Sequence, residues 1–422
     1  MLSTQAKHPY ILLMRHLFPL TGIVLLCCAA LTLHAQERVL RIDPNTARGG
    51  TSSKVYEDVQ YIPLETTKES LFGKINTMEV TEKYFIISDE TTNAILIFEK
   101  NGKFHAKMAG GKMAQYGWPG SIGGMTVDRE KNTIVYYQFN KSLRIICDFD
   151  GKELKREKLD SKYIIAYNTR FKDGKVLSHN FVSRDKKDTI MHEFEVYKDT
   201  IRTNQFLPIH LHKALISTDF FYSQGIVQLT PTNSKEYVYY NKVYSDVIHR
   251  ISSDTATVAF KVVYPMSMTL PPGFGTDTTL DNKRIEFLQK NKNTIYGAGY
   301  ITDVKNILLF RLLSYDMWND TNNSFAYNLQ SNTLFCMEKI TSDSSTYFLP
   351  VATSTGWSRG GFHCVQDDYC YVSHPSNVMF NAYEANKAAR KVVYPPALQQ
   401  YFSKGKSSDN PVIVMFKFKD KF

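Results

Sequence analysis

Most of the chain consists of short runs of hydrophobic and aromatic residues that are separated by turn signals. The clearest unit covers residues 75–108, and its predicted strands are residues 75–80, 84–89, 94–98 and 103–108. The last two strands are joined by Asn101-Gly102, and Asn-Gly between such runs is a strong signal for a tight hairpin. The pattern therefore predicts four antiparallel strands in succession.

The same plan repeats along the chain. A second clear unit covers residues 123–156, and looser units follow at residues 164–207, 225–263, 300–338 and, in two pieces, 361–372 with 411–418. About six four-stranded units predict an all-β, six-bladed β-propeller with antiparallel blades. A ring of blades must hide its last edge, so we expect the N-terminal strand at residues 58–64 to complete the blade that the C-terminal strand begins.

Helical periodicity is rare in this sequence. Residues 280–292 and 383–390 are the main exceptions, and both segments are short and polar enough to be surface inserts. The sequence thus predicts strands for nearly all of the core.

The N-terminus has the features of a secretory signal. Arg15 and His16 precede an apolar run at residues 17–33, which ends in Leu33-His34-Ala35. We predict a signal peptide at 1–35 cleaved near Ala35, an N-terminal extension at 36–54, a propeller domain at 55–422 and no transmembrane segment in the mature chain. A buried or membrane-anchoring helix is the alternative. A lipid anchor is a further alternative, although neither Cys27 nor Cys28 follows a small residue.

Composition fits an ordinary globular protein. The chain is 13% aromatic and 22% charged, which is unlike a disordered chain, and strands favour aromatic residues. The net charge of +10 comes from Lys and Arg scattered along the sequence, whereas nucleic-acid binding would need a clustered patch. We therefore predict no nucleic-acid partner and attribute the charge to a solvated surface or to attraction by anionic envelope polymers.

Several local sequences resemble one known family. They are residues 61–66, the strand pair 84–89 with 97–98, the loop 117–120 and the closing segment 409–414. Together they resemble the six-bladed β-propeller family of exported bacterial proteins, which is related at fold level to NHL-repeat propellers. The resemblance implies the propeller fold and export, and it implies little about chemistry.

Two aromatic, glycine-containing loops are the best candidates for ligand binding. Tyr116 and Trp118 lie in the loop at 113–124, and Trp357 and Arg359 lie in the loop at 355–363. Exposed Trp and Arg often anchor binding contacts. Aromatic side chains with Arg nearby can stack on sugar rings or bind peptides. The alternative is that each Trp packs between blades. A segment with Tyr315, Trp318 and Asn319 is a third candidate.

Metal-binding signals are sparse. The resemblance to NHL-like and lactonase-like propellers suggests zinc held by histidines such as His210 and His212, or calcium held by carboxylates. Asp89, Asp128 and Asp148 lie near strand ends, where Asp is usually a turn-former. No cofactor is predicted, and calcium or zinc is the alternative.

The spacing of two cysteines leaves two alternatives open. Cys364 and Cys370 could form a disulfide across a β-turn, or they could be two buried thiols on alternate strands.

No catalytic signature is present in the sequence. The sequence therefore favours an exported, non-catalytic binding module that takes a glycan, a peptide or an envelope protein on one face of the ring. The alternative is a metal-dependent propeller enzyme of the lyase or lactonase type, with its site in the central channel.

Overall fold

The computed structural model describes most of the chain after residue 37. The described residues are 38–110, 122–138, 142–159, 169–180, 182–185, 189–198, 201–219, 229–230, 232, 234–315, 323–352 and 362–420. None of the helices in this part of the chain is long and apolar enough to cross a membrane.

The described residues form six small sheets around a ring, which confirms the predicted six-bladed propeller. Three strands come before the first complete blade: β1 (Arg38–Arg41), β2 (Arg48–Thr51) and β3 (Tyr56–Pro63). Blade 1 contains β4 (Thr77–Val80), β5 (Tyr84–Asp89), β6 (Ala94–Glu99) and β7 (Phe104–Ala109). Blade 2 contains β8 (Ile122–Asp128), β9 (Thr133–Gln138), β10 (Leu143–Asp148) and β11 (Glu153–Lys158).

The later blades follow in chain order. Blade 3 contains β12 (Thr169–Arg170), β13 (Val176–His179), β14 (Ile190–Lys198) and β15 (Ile201–His210). Blade 4 contains β16 (Tyr237–Asn241), β17 (Val247–Ser252) and β18 (Ala256–Val263). Blade 5 contains β19 (Gly297–Val304), β20 (Ile307–Leu313), β21 (Ser324–Asn328) and β22 (Thr333–Thr341). Blade 6 contains β23 (Phe362–Gln366), β24 (Tyr369–His374) and β25 (Val412–Phe418).

The ring is closed by strands from both ends of the chain, as predicted. β3 is antiparallel to β25, and Ile62 lies opposite Ile413 in the shared ladder. This pairing gives blade 6 its fourth strand and removes the open edge of β25.

Residues 38–51 add two strands that the sequence pattern did not reveal. β1 lies parallel to β18 at the outer edge of blade 4, and β2 lies parallel to β22 at the outer edge of blade 5. We call residues 38–51 the N-terminal strap. With β3, this part of the chain contributes an outer strand to three successive blades.

The helices lie in connections between strands. They are α1 (Ser52–Val55), α2 (Arg284–Lys290), α3 (Ser376–Ala389) and α4 (Pro396–Lys404), and the 3-10 turns are Pro44–Thr46, Leu211–Lys213, Ser217–Asp219, Met266–Met268, Thr278–Leu280 and Ser344–Thr346. Helices were predicted at both α2 and α3, but α3 begins earlier than expected. α4 was not predicted. The α3–α4 pair is more than a surface insert, since Met379, Leu398 and Phe402 are buried in the core between blades 5 and 6.

The core lies between neighbouring blades. In blade 1, Phe85 and Phe98 pack toward blade 6, whereas Ile86 and Ile97 pack toward blade 2. Both faces of β5 and β6 are therefore buried, which explains why these strands appear in the sequence as continuous apolar runs.

The four-stranded plan gives the ring two distinct faces. In each blade, the turns between strands one and two and between strands three and four leave at one end, which we call the turn face. The turn between strands two and three and the link to the next blade leave at the other end, which we call the loop face. The isolated parallel bridge between Leu229 and Ile301 shows that the innermost segments of blades 4 and 5 run in the same direction.

Candidate functional site

Two residues from opposite blades meet at the turn face. Glu79 lies on β4, the innermost strand of blade 1, and Lys235 lies in the turn that precedes β16 in blade 4. The Nζ atom of Lys235 donates to both carboxylate oxygens of Glu79 at 2.9 Å. Because blades 1 and 4 face each other in a six-bladed ring, this ion pair crosses the central channel.

A second cation reinforces this crossing. Arg129, in the first turn of blade 2, donates through Nη2 to Glu79 Oε2 at 3.0 Å and to the carbonyl oxygen of Val80 at 3.0 Å. The same nitrogen reaches Oε1 of Gln366, on the innermost strand of blade 6, at 3.2 Å. Side chains from blades 1, 2, 4 and 6 thus converge at the turn-face end of the channel. We call Glu79, Arg129, Lys235 and Gln366 the channel network.

The position of Lys235 is fixed by its own backbone. Its carbonyl oxygen accepts from the Lys172 amide at 2.8 Å, and its amide donates to the Thr232 carbonyl at 3.0 Å. Lys235 also has a positive φ of 54°, in the left-handed region that tight turns use. The turn therefore aims the side chain of Lys235 toward blade 1.

On the loop face, Asn93 joins the two ends of the segment that contains Tyr116 and Trp118. Its carbonyl oxygen accepts from the Gly110 amide at 2.7 Å, and its Oδ1 accepts from the Ile122 amide at 2.7 Å. Asn93 is buried and has a φ of 51°, which Asn adopts more readily than most residues. One residue therefore holds both ends of the predicted ligand loop, Gly110 through its backbone carbonyl and Ile122 through its side chain.

Asp89 supports the same region of the loop face. Its carboxylate accepts from the amides of Gly73, Lys74, Thr91 and Thr92 and from the Thr92 hydroxyl, at 2.6–3.1 Å. Burial alone would raise the pKa of Asp89, but these hydrogen bonds hold it below its usual value. The Asp89 carboxylate therefore holds the turn after β5 against residues 73–74.

The second predicted ligand loop begins and ends beside two histidines. His374 Nε2 lies 2.6 Å from the carbonyl oxygen of Val351, and His363 Nε2 lies 2.7 Å from the Ser373 hydroxyl. Burial lowers the pKa of His363 to about 4, with a smaller contribution from His374, and burial also lowers the pKa of His374. Both rings are therefore neutral near pH 7.

The four predicted ligand-binding residues, Tyr116, Trp118, Trp357 and Arg359, lie outside the described residues. Trp318 and Asn319 also lie outside them, whereas Tyr315 follows β20 within the described part. The topology still constrains the three tryptophans of the sequence. Trp118 lies between β7 and β8, Trp318 between β20 and β21, and Trp357 between β22 and β23. In each case, the described strands that flank the connection end and begin at the loop face.

The structure gives Cys364 and Cys370 as free thiols. Val365 lies opposite Cys370 in the ladder and Tyr371 lies opposite Cys364, so the two cysteines point to opposite faces of blade 6. Cys370 packs in the core toward blade 5, and Cys364 packs against the core toward blade 1. This placement corresponds to the alternative of two separate thiols. The disulfide between Cys364 and Cys370 stays a prediction, which a direct count of free thiols can test.

The residues suggested for metal binding are not brought together within the described ranges. His210 ends β15 and His212 lies in the next 3-10 turn, with ring centroids 5.6 Å apart. Asp128 accepts from the Lys131 amide, and Asp148 accepts from amides of its own hairpin turn. No group of three or more His, Cys, Asp or Glu side chains with metal-site geometry occurs in the part of the chain that the structure describes. The metal alternative stays untested.

Sequence reasoning also missed a buried polar cluster between blades 3 and 4. Lys242 forms an ion pair with Glu193, whose side chain is 6% exposed. His179 and Tyr240 lie alongside, with ring centroids 6.3 Å apart. Burial, with a smaller effect of Lys242, lowers the pKa of His179 to about 4. The two halves of the cluster come from different blades, so no local motif could have revealed it.

The comparisons with known proteins agree with the propeller fold. A "Putative exported protein" from Bacteroides fragilis NCTC 9343 superimposes with a TM-score of 0.62 at 14% identity, covering 90% of this chain and 99% of that chain. A duf4221 family member from Bacteroides vulgatus ATCC 8482 gives a TM-score of 0.43 at 13% identity, covering 86% and 97%. A catalytically inactive virginiamycin B lyase from Staphylococcus aureus gives 0.34 at 12% identity, covering 66% and 73%.

The TM-scores of 0.43 and 0.34 are too low to indicate a shared fold, and the score of 0.62 indicates similarity of fold alone. No curated protein matches the sequence. A family profile matches residues 41–417, which is most of the chain and all six blades. The chain therefore belongs to the family described as Domain of unknown function (DUF4934).

Proposed function

We propose that this protein is an exported, non-catalytic binding module that takes a glycan, a peptide or an envelope protein on the loop face of its ring. The observation that carries the proposal is the ion pair between Glu79 and Lys235, which crosses the channel at the turn face. A ligand that enters the ring would therefore come from the opposite side.

The distribution of tryptophan supports the same face. The sequence has three Trp residues, and each belongs to a connection whose flanking strands end and begin at the loop face. Trp and Arg are enriched at binding hot spots, and Arg359 lies two positions after Trp357. Export is supported by the predicted signal peptide at 1–35 and by the name of the Bacteroides fragilis relative.

Intrinsic fluorescence offers a selective test, because every tryptophan belongs to a connection whose flanking strands meet the loop face. Defined oligosaccharides would first be screened on a printed array, and each hit would then be titrated while tryptophan emission is followed. We expect binding to change the emission, and we expect Trp118→Ala or Trp357→Ala to weaken binding at least tenfold without lowering the melting temperature. Tyr369→Ala, on the turn face, is the matched control and should leave affinity unchanged.

Two results would count against the proposal. A binding hit that leaves tryptophan emission unchanged would place the ligand elsewhere. A large loss of thermal stability in both tryptophan variants would mean that these side chains pack between blades. Metal analysis of the purified protein addresses the enzyme alternative, since stoichiometric zinc or calcium would favour it.

A further inference from the structure

The N-terminal strap forms one wall of a groove at the outer rim, between blades 4 and 5. The groove has a volume of about 580 Å³ and is open to solvent. Its lining comes from three segments: the strap, the end of β18 and the turn between β21 and β22. The volume lies in the range of pockets that hold small ligands or a short stretch of a polymer. Because β1 and β2 are the outermost strands of blades 4 and 5, the groove lies away from the central channel.

Two arginines define the charge of this groove. Arg41 and Arg48 both line it and both are exposed. Neither guanidinium has a hydrogen-bond or ion-pair partner among the described residues. Asp43 is the acidic residue of the lining, and its Oδ1 already accepts from the Asn45 amide at 3.0 Å. Two fork-shaped donors are thus available to an incoming anion.

Buried neighbours hold the backbone of these arginines in place. Leu40 and Ile42 flank Arg41 and are buried against the core of blades 4 and 5. The Ile42 amide donates to the Val263 carbonyl at 3.0 Å, and β2 places Arg48 opposite Phe335. The strap therefore fixes where both arginines leave the surface, which lowers the entropic cost of binding.

The rest of the lining suits a sugar chain. Thr46, Ser331 and Thr333 supply hydroxyl groups, and Asn332 supplies an amide. Val263 and Pro265 add apolar surface on the β18 side. Hydroxyls and amides match sugar hydroxyls, small apolar surfaces match the C–H faces of a pyranose ring, and arginine matches carboxylate or phosphate through paired hydrogen bonds.

We propose that this groove is a second binding site, for an anionic polysaccharide that carries carboxylate or phosphate groups. Arg41 and Arg48 hold the acidic groups, and the hydroxyl and amide side chains hold neighbouring sugar hydroxyls. The site is independent of the ligand proposed for the loop face. It gives a role to two of the scattered basic residues, Arg41 and Arg48.

The test uses two polyanions, polygalacturonate as the carboxylate probe and a phosphorylated mannan as the phosphate probe. Neutral dextran is the uncharged control. Each polysaccharide is titrated into the protein by calorimetry at a fixed salt concentration. We expect at least one polyanion to bind and dextran not to bind. Arg41→Ala with Arg48→Ala should weaken that binding at least tenfold. The matched control removes the same charge at two exposed lysines, Lys68→Ala in the connection before blade 1 with Lys83→Ala in its first turn, and should change affinity less than twofold.

A conservative double variant separates geometry from charge. Arg41→Lys with Arg48→Lys keeps both charges but loses the paired donors, so its affinity should fall between those of the wild type and the double alanine variant. The carboxylate and phosphate arms identify the acidic group. The proposal is overturned if neither polyanion binds or if dextran binds equally well. It is also overturned if the double alanine variant binds like the wild type, or if the lysine control loses as much affinity as the double alanine variant does. Unchanged melting temperatures in all variants establish that the comparison concerns binding.

Discussion

Lys235 and Glu79 are 156 residues apart in the sequence, yet the Lys235 ammonium lies 2.9 Å from each carboxylate oxygen of Glu79. The pair links a turn of blade 4 to the innermost strand of blade 1. It therefore ties opposite sides of the ring together at one end of the channel.

Removing the carboxylate of Glu79 should loosen this end of the ring. Glu79→Gln leaves Lys235 and Arg129 without their shared anion, and both partners of the Glu79–Lys235 pair are partly exposed, at 21% and 30%. We expect a loss of about 1 kcal/mol in the free energy of unfolding, measured by urea denaturation. A double-mutant cycle with Lys235→Met isolates the coupling. Glu153→Gln, which breaks an exposed pair with Arg156 inside blade 2, is the control and should have no measurable effect.

The side chain of Asn93 should control the base of the loop that contains Trp118. Asn93→Gly keeps the positive φ but removes the 2.7 Å acceptor for the Ile122 amide, and we expect a loss of about 1–2 kcal/mol. Asn93→Ala should cost about 1 kcal/mol more, because alanine is disfavoured in the left-handed region. Hydrogen exchange at Ile122 and Gly110 should accelerate in both variants. Unchanged exchange at Ile122 would contradict the role given to Asn93.

Breaking the buried ion pair between Asp219 and Arg284 should be among the most damaging single changes. Both side chains are fully buried, and Arg284 Nη1 lies 2.5 Å from Asp219 Oδ2. Asp219→Asn removes the buried counter-charge of Arg284 and leaves Asp281, 3.1 Å away and 23% exposed, as the remaining acidic partner, and we expect a loss of about 3 kcal/mol in unfolding free energy. Glu286→Gln, which breaks an exposed pair in the same helix, should have no measurable effect. Similar stability in the two variants would refute this expectation.

Acid should weaken the fold through the histidines of blade 6. Burial lowers the pKa of His363 to about 4, below the ordinary value of 6.5, so the unfolded chain takes up protons first as the pH falls. The contribution of this residue to stability is complete above about pH 6.5 and declines as the pH falls from there toward 4. We expect His363→Gln to flatten this part of the stability profile, measured by denaturation at several pH values. If His363→Gln left the pH dependence of stability unchanged, the imidazole of His363 would have the same pKa in the folded and the unfolded chain.

The four cysteines of the described chain should be unreactive when folded and countable when unfolded. Burial raises the pKa of Cys364 to about 12 and that of Cys147 to about 11, so neither forms much thiolate at pH 8. After denaturation without reductant, we expect four free thiols in the mature protein. A count of two would support a disulfide between Cys364 and Cys370, and would require the strand register in blade 6 to differ.

The sequence predicted the early blades strand by strand, because their signals are local. The predicted strand at residues 84–89 coincides with β5, and the Asn101-Gly102 turn joins β6 to β7 as expected. Middle blades were harder to predict. Before β16, Leu229 forms an isolated parallel bridge with Ile301 and packs against the core between blades 3 and 4, but it belongs to no regular strand.

The features that sequence reasoning missed are those made by distant partners. β1 and β2 have neither regular alternation nor hairpin turns, since each pairs in parallel with a strand far along the chain. Glu79, Arg129 and Lys235 sit in ordinary turns and strands, and only ring closure brings them together. Local periodicity carries no information about such contacts. The predicted ligand residues lie outside the described ranges, so that part of the site remains a prediction.

The route of residues 38–63 along three blades determines when the fold can be completed. The first part of the mature chain to be made supplies the outer strands of the last three blades, and Ile62 finds its partner Ile413 only when the final strand has arrived. Contacts of such long sequence separation slow folding, and the waiting strands keep unpaired edges that can associate with other chains. A chain built this way stays open until its last strand has been made, and the ring closes only then.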